Sequence, residues 1–278
     1  MNSGVPLEEL RRRYADEITA SAGIAHTRVE EAFATIPRED FLAPPPWTIF
    51  APGGLFMSET SDPAELYQDV LVVLDRERGI NNGQPSLHAA WLAALDPKPG
   101  EVAVHIGAGT GYYTALLTAL VTPGGEVHAY EIVADLAEIA RHNLAALASV
   151  TVHATTGVGA ALPASDVVYV NASASAPGVA WLRALKPGGR LIFPWQPSGH
   201  RGGVTLQVTR TERGYAAAAT LEVAFIACVG AMAHPTAGRE AQVGDILRTR
   251  SIWLKEERPP DKTAIVIYDE VWFSSEPV

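Results

Sequence analysis

The period of the apolar and polar positions changes along this chain. From Leu7 to about Ile36 apolar residues recur at helical spacing with few breakers, which predicts a helical N-terminal cap. Pro37, Pro44-Pro45-Pro46, Pro52 and Gly53-Gly54 then predict a long irregular loop, because each proline removes a backbone donor and each glycine loosens the chain. From Glu101 onward short β-branched runs alternate with helical patterns. Strands are expected at Val102 to Ile106, Val127 to Tyr130, Val150 to His153, Val167 to Val170 and Arg190 to Phe193. Helices are expected up to Leu120, across Ala134 to Ala148, and around Val179 to Leu185. Such alternation implies an α/β, doubly wound parallel sheet with right-handed crossovers. Lys186-Pro-Gly-Gly189 reads as a turn, and the runs Val204 to Thr209 and Leu221 to Ala227 read as an antiparallel edge pair. Beyond Gly230, Ile265-Val-Ile-Tyr268 and Val271-Trp-Phe273 suggest added strands. The expected division is a cap and substrate loop over 1–98, an α/β core over 99–230 and a C-terminal extension over 231–278.

Length and composition change this picture little. A chain of 278 residues, 47% hydrophobic, can bury a large core. The runs free of Asp, Glu, Lys and Arg, Val102 to Gly125 and His142 to Ser165, are broken by glycine, proline, histidine or threonine, so none reads as a membrane span. The N-terminal stretch lacks the apolar segment of a signal peptide, and a cytoplasmic location is the default expectation. One cysteine, Cys228, leaves no internal disulfide and no cysteine-rich metal site, and no metal is expected. A net charge of −10, with Arg11-Arg12-Arg13 as the only short basic run, argues against a nucleic-acid partner.

The candidate chemistry begins at His105-Ile-Gly107-Ala108-Gly109-Thr-Gly111, which joins a predicted strand to a predicted helix. Glycines at alternate positions let the backbone turn tightly beside a bound nucleotide, and the helix start offers free N–H groups. Dinucleotide enzymes favour G-x-G-x-x-G, whereas this chain has G-x-G-x-G, which points to S-adenosyl-L-methionine rather than NAD. An acid where the next strand should end, Glu131, is placed to accept hydrogen bonds from both ribose hydroxyls.

Several blocks together resemble the protein-L-isoaspartate O-methyltransferases. They are Ile36-Pro-Arg-Glu-Asp-Phe-Leu, like V-P-R-x-x-F-V; Leu66-Tyr67-Gln-Asp69, like A-Y-x-D; Gln84-Pro85; the glycine turn; Leu185-Lys-Pro-Gly-Gly-Arg-Leu-Ile-Phe-Pro194; and Val223-Ala-Phe-Ile-Ala-Cys-Val-Gly230, like V-x-F-V-P-L-x-G. The resemblance covers about residue 30 to residue 230. It implies a Rossmann-like class I S-adenosylmethionine-dependent methyltransferase core of seven strands, acting on an aspartyl or isoaspartyl carboxylate of a peptide or protein.

The departures fall at the chemistry. Where the family has T-I-S-Q-P, with an active-site serine, this chain has Asn81-Asn82-Gly83-Gln84-Pro85. His105 replaces the acid that opens the glycine motif, and Thr155-Thr156-Gly157 replaces the G-D-G that contacts adenosine. The histidine that follows the loop and helps hold the cofactor is retained as His88. The resemblance thus adds Gly83, His88, His105, Thr156 and Gly157 to Gly107, Ala108, Gly109, Gly111 and Glu131 as cofactor residues. It points to Tyr67 and Asn81 for substrate and to Asn82 for catalysis. Tyr67 and Asp69 have the alternative role of fastening the loop, Asn81 and Asn82 suit tight turns, and His105 has the alternative role of a hydrogen-bonded histidine under the cofactor turn.

A carboxylate acceptor is already ionised at neutral pH and needs no general base, which suits a site without an evident base pair. The first expectation is therefore a carboxyl O-methyltransferase, with modified-peptide tailoring as one setting. A small-molecule methyltransferase using His105 or His88 as base, and a catalytically silent cofactor-binding homologue, are the alternatives.

Overall fold

In the computed structural model the described residues are 5–52, 54, 57–200, 202–236 and 240–278. Gly53 of the expected loop, Arg201 and residues 1–4 lie outside them. The chain forms two compact units, one built from the segment up to Gly100 together with Ala108–Ala154, the other from Glu101–Gly107 and Thr155–Val278.

The first unit begins with two helices, Leu7–Ser21 and Thr27–Thr35, rather than one continuous run. Gly23, at φ 66°, stops the first, and the His26 ring accepts the Val29 N–H to start the second. Tyr14, Ile18, Val29 and Phe33 are buried, so both helices turn an apolar stripe inward.

The expected irregular loop contains a four-stranded antiparallel sheet, in the order Ser58–Thr60, Trp47–Phe50, Leu71–Asp75, Ile80–Asn81. Prolines 44–46 precede the first of these strands. In Trp47-Thr-Ile-Phe50 the alternating side chains Trp47 and Ile49 pack with Leu66 and Val72, which gives this small sheet its own core. Three helices follow in this unit, Pro85–Leu95, Tyr112–Val121 and Ala134–Asn143. The last ends five residues before the expected Ala148, and the Asn143 side-chain amide donates to the Thr110 carbonyl. Strands Glu126–Tyr130 and Val150–His153 pair in parallel.

The second unit carries eight strands in one sheet order: Ala264–Ile267, Val271–Ser274, Ser251–Leu254, Tyr215–Val223, Gly203–Arg210, Leu185–Trp195, Ser165–Val170, Val102–Ile106. The last three named are mutually parallel and the rest antiparallel. Val167, Val168, Tyr169 and Val170 are all fully buried, the pattern of a parallel strand covered on both faces. The fold is mixed α/β, with seven of its strands falling between residues 99 and 230.

Two boundaries differ from the sequence expectation. Lys186-Pro-Gly-Gly189 lies within one long strand, Leu185–Trp195, as an irregularity of its pairing with Ser165–Val170. Its cations anchor it: Lys186 pairs with Asp166 at 2.7 Å, and Arg190 grips both oxygens of Glu101 at 2.7 and 2.8 Å. The strand expected at Leu221 to Ala227 is Tyr215–Val223, because Tyr215, Ala217 and Val223 supply the buried positions while Leu221 is exposed. The C-terminal segment adds three strands to that edge. Trp253 and Trp272 stack there with Arg258 over the Trp253 ring at 4.4 Å. Cys228 is buried and forms no disulfide. No helix among the described residues is long and apolar enough to cross a membrane.

Candidate active site

The glycine turn takes the conformation its residues require. Gly107, Gly109 and Gly111 have φ of 78°, 56° and 100°, values that L side chains rarely adopt. A Cβ at Gly111 would stand 2.8 Å from the Leu144 side chain, so the position has no room for one either. Ala108 donates its N–H to the Tyr130 carbonyl at 3.1 Å and accepts from Gly111 at 3.0 Å. Gly111 then opens helix Tyr112–Val121.

Glu131 lies at the end of the strand Glu126–Tyr130, as the alternation of that strand requires, and is 6% exposed. One carboxylate oxygen accepts the Gly109 N–H at 2.8 Å and the other the Val133 N–H at 2.9 Å. These bonds fix the plane of the carboxylate and leave further lone pairs on both oxygens. Burial raises its pKa, against the opposing pull of the backbone N–H groups of Val133 and Gly109. A carboxylate held in this way fits a vicinal diol, and the left-handed turn fits a nucleoside backed closely against it.

His105 is fully buried in the second unit. Its Nε2 faces the Asn171 side-chain amide at 2.8 Å, and burial drives its pKa down to about 3. The imidazole is therefore neutral, and with the amide N–H donating, Nε2 is the acceptor. Asn171 follows the buried strand Ser165–Val170, and its carbonyl would meet a Cβ on Gly107 at 3.4 Å. Gly157 accepts the Trp181 indole N–H at 2.9 Å, and a Cβ on it would come within 2.8 Å of Ile106. The Thr156 hydroxyl accepts the Val158 N–H at 3.0 Å, closing a short local turn.

The altered loop is in the first unit. Asn81 accepts the Gly83 N–H at 2.9 Å through its side chain, making an Asx turn. Asn82 is fastened at three points: its N–H donates to the Val72 carbonyl, and its side-chain oxygen accepts from Val72 N at 2.8 Å and from Arg38 Nη2 at 3.2 Å. Gly83 has φ 78°, and a Cβ there would overlap the ring of His88. That ring stacks on Tyr113 with centroids 3.8 Å apart. Asp69 caps the following helix, its oxygens accepting Ser86 N at 2.8 Å, Ser86 Oγ at 2.7 Å and Gln84 Nε2 at 2.9 Å. Tyr67 donates its hydroxyl to the Glu39 carboxylate and accepts from Arg11 Nε at 3.0 Å.

In the first unit the structure thus gathers Asn81, Asn82, Gly83 and His88 in one loop and helix start, and Ala108, Gly109, Gly111 and Glu131 at one turn. In the second it places His105 beside Asn171, and Gly157 against Ile106. Tyr67 is engaged elsewhere through its hydroxyl. Two residues escaped the sequence reading. Asn171 has no motif of its own, and Arg38, although present in Ile36-Pro-Arg38, carries no sign in the sequence that it is fully buried.

The fold is that of a Rossmann-like methyltransferase whose cofactor is S-adenosyl-L-methionine, and the turn and its acid fit a nucleoside. The chain belongs to the protein-L-isoaspartate(D-aspartate) O-methyltransferase family, whose profile matches residues 13–233. It is 35% identical over 198 residues to the protein-L-isoaspartate O-methyltransferase of Aeropyrum pernix, covering 68% of each chain. A solved protein-L-isoaspartate O-methyltransferase superposes with a TM-score of 0.66 at 21% identity, over 94% of this chain and 86% of the other. A putative Plasmodium falciparum enzyme of that name, in complex with S-adenosyl-L-homocysteine, gives 0.63 at 18% identity, over 78% of this chain and 97% of its own.

Proposed function

We propose that this chain transfers a methyl group to a carboxylate, aspartyl or isoaspartyl, of a peptide or protein. S-adenosyl-L-methionine supplies an electrophilic methyl on a sulfonium. Glu131 holds the ribose through the lone pairs left by its two backbone bonds, and the turn from Gly107 to Gly111 gives the nucleoside a surface free of side chains. His105, Gly157 and Thr156 belong to the same cofactor set in this reading, and His88 with Gly83 closes the loop. Asn81 and Asn82 orient the acceptor.

The observation that carries the acceptor class is the state of His105. Burial holds its pKa at about 3, and its Nε2 is already taken by Asn171, so it removes no proton from an acceptor near neutral pH. An ionised carboxylate needs no such step, whereas an alcohol acceptor does. The carboxyl chemistry of the relatives points the same way. Gly83, in place of the family's serine, supports an acceptor narrower than damaged proteins at large, such as one peptide in a tailoring reaction. The cytoplasm is the proposed location.

The test is methyl-labelled cofactor with an isoaspartyl peptide and its aspartyl twin, followed by base treatment. Methyl esters release labelled methanol at high pH, and this is the expected result. Label that survives base would transfer the assignment to an ether or N-methyl product. Cofactor binding without transfer to either peptide would favour a silent homologue.

A further inference from the structure

Arg38 is 0% exposed, yet it makes no ion pair with any described carboxylate. Its Nη1 donates to the Leu66 carbonyl at 2.7 Å and its Nη2 to the Val70 carbonyl at 2.5 Å and to the Asn82 side-chain oxygen at 3.2 Å. All these acceptors are neutral. A buried guanidinium left without a counter-charge is costly, so its retention calls for an anion that arrives from outside the chain.

The atoms around it lack acceptors. Arg38 Nε and Asn82 Nδ2 are buried and have no partner. The buried hydroxyls of Tyr14 and Tyr112 likewise have no hydrogen-bond partner among the described residues. The Asp69 carboxylate makes its hydrogen bonds to Ser86 and Gln84 and none to Arg38. Because Arg38 and the Val72 N–H both hold Asn82 by its oxygen, the amide cannot turn over, and Nδ2 is the edge left to donate.

We propose that Asn82 Nδ2 and the Arg38 guanidinium form a carboxylate-holding subsite, with Arg38 the positioning residue that sets the Asn82 amide and supplies the positive charge. This rests on the carboxyl-acceptor reading above and adds the group that recognises the acceptor. Charge and donor are complementary to an anion: an oxygen that accepts from Nδ2 would offset a guanidinium whose hydrogen-bond acceptors are all neutral.

The test uses Asn82→Asp, which places a carboxylate on Arg38 without touching the arginine. It should bind the cofactor product S-adenosylhomocysteine as wild type does, and melt no lower, because the new charge pairs with Arg38. Its KM for an isoaspartyl peptide should rise at least about tenfold, equivalent to about 1.4 kcal/mol. Succinate serves as a minimal probe that needs no turnover: wild type should bind it in calorimetry, and Asn82→Asp should not. If wild type binds succinate but methylates no peptide, the function reading fails while this site stands. Equal succinate binding by both proteins, absence of binding by wild type, or an unchanged KM would overturn it. Tyr112→Phe, which keeps the ring packing, is the second variant; it should weaken succinate binding by a smaller factor at unchanged cofactor affinity.

Discussion

The glycine turn and the Asn81–Gly83 loop solve the same problem, holding a small polar group against a backbone, in opposite ways. At the turn the geometry comes from residues close in the chain: glycine conformations and a carboxylate anchored to two neighbouring N–H groups. In the loop it comes from Arg38, more than forty residues away in sequence, and from Val72 and Asp69. The first arrangement fixes a ligand common to many reactions. In the function proposed above, the second orients the acceptor, through contacts made from distant parts of the chain.

The two regions should respond differently to mutation. The largest effect is expected at Glu131→Ala, which removes the proposed ribose acceptor and also frees the Gly109 and Val133 N–H groups. S-adenosylhomocysteine affinity should fall about a hundredfold or more by calorimetry, equivalent to about 2.7 kcal/mol. Next comes Asn82→Ala, which should cut turnover on an isoaspartyl peptide about tenfold and leave cofactor affinity within experimental scatter.

Restoring the family's serine should harm this protein. Gly83→Ser puts a side chain at φ 78° and against the His88 ring, so thermal melting should show a loss of about 1–2 kcal/mol with no gain in activity. A gain in activity would mean that the loop relaxes to accept it.

Acid should separate the regions in a further way. His105 titrates near 6.5 when exposed and near 3 here, so the unfolded chain binds the extra proton between those values. Its contribution to stability is therefore complete above about pH 6.5 and is lost as pH falls toward 3. Denaturant melts of wild type and His105→Asn over that range should show a shallower acid loss in the variant. Protonation of Glu131, whose pKa burial raises, should weaken cofactor binding at a higher pH than an ordinary glutamate would. The smallest effect is expected at Thr156→Ala, which loses one local hydrogen bond and should cost about 1 kcal/mol or less in stability.

The same contrast decides what was legible in the sequence. Val150–His153 was readable to the residue and Val102–Ile106 likewise, because each is a short apolar run between turn signals. The small sheet after Pro37 was hidden, since its strands are two to five residues long and the prolines beside them dominate local propensity. Gly23 was passed over inside a helical pattern, although its left-handed backbone ends the first helix. Among the candidate site residues, Gly107, Gly109, Gly111 and Glu131 announce themselves by spacing. Arg38 and Asn171 do not, because their roles arise from burial and from partners distant in sequence. A buried cation without a counter-charge becomes visible only when the chain is folded around it.

The proposed division of labour gives cofactor binding to the turn and acceptor binding to the loop. Calorimetric titration of S-adenosylhomocysteine into wild type, Glu131→Ala and Asn82→Ala tests it most directly. Wild type should bind tightly, Glu131→Ala should lose binding, and Asn82→Ala should keep wild-type affinity. Unchanged affinity in Glu131→Ala, or equal loss in Asn82→Ala, would contradict it.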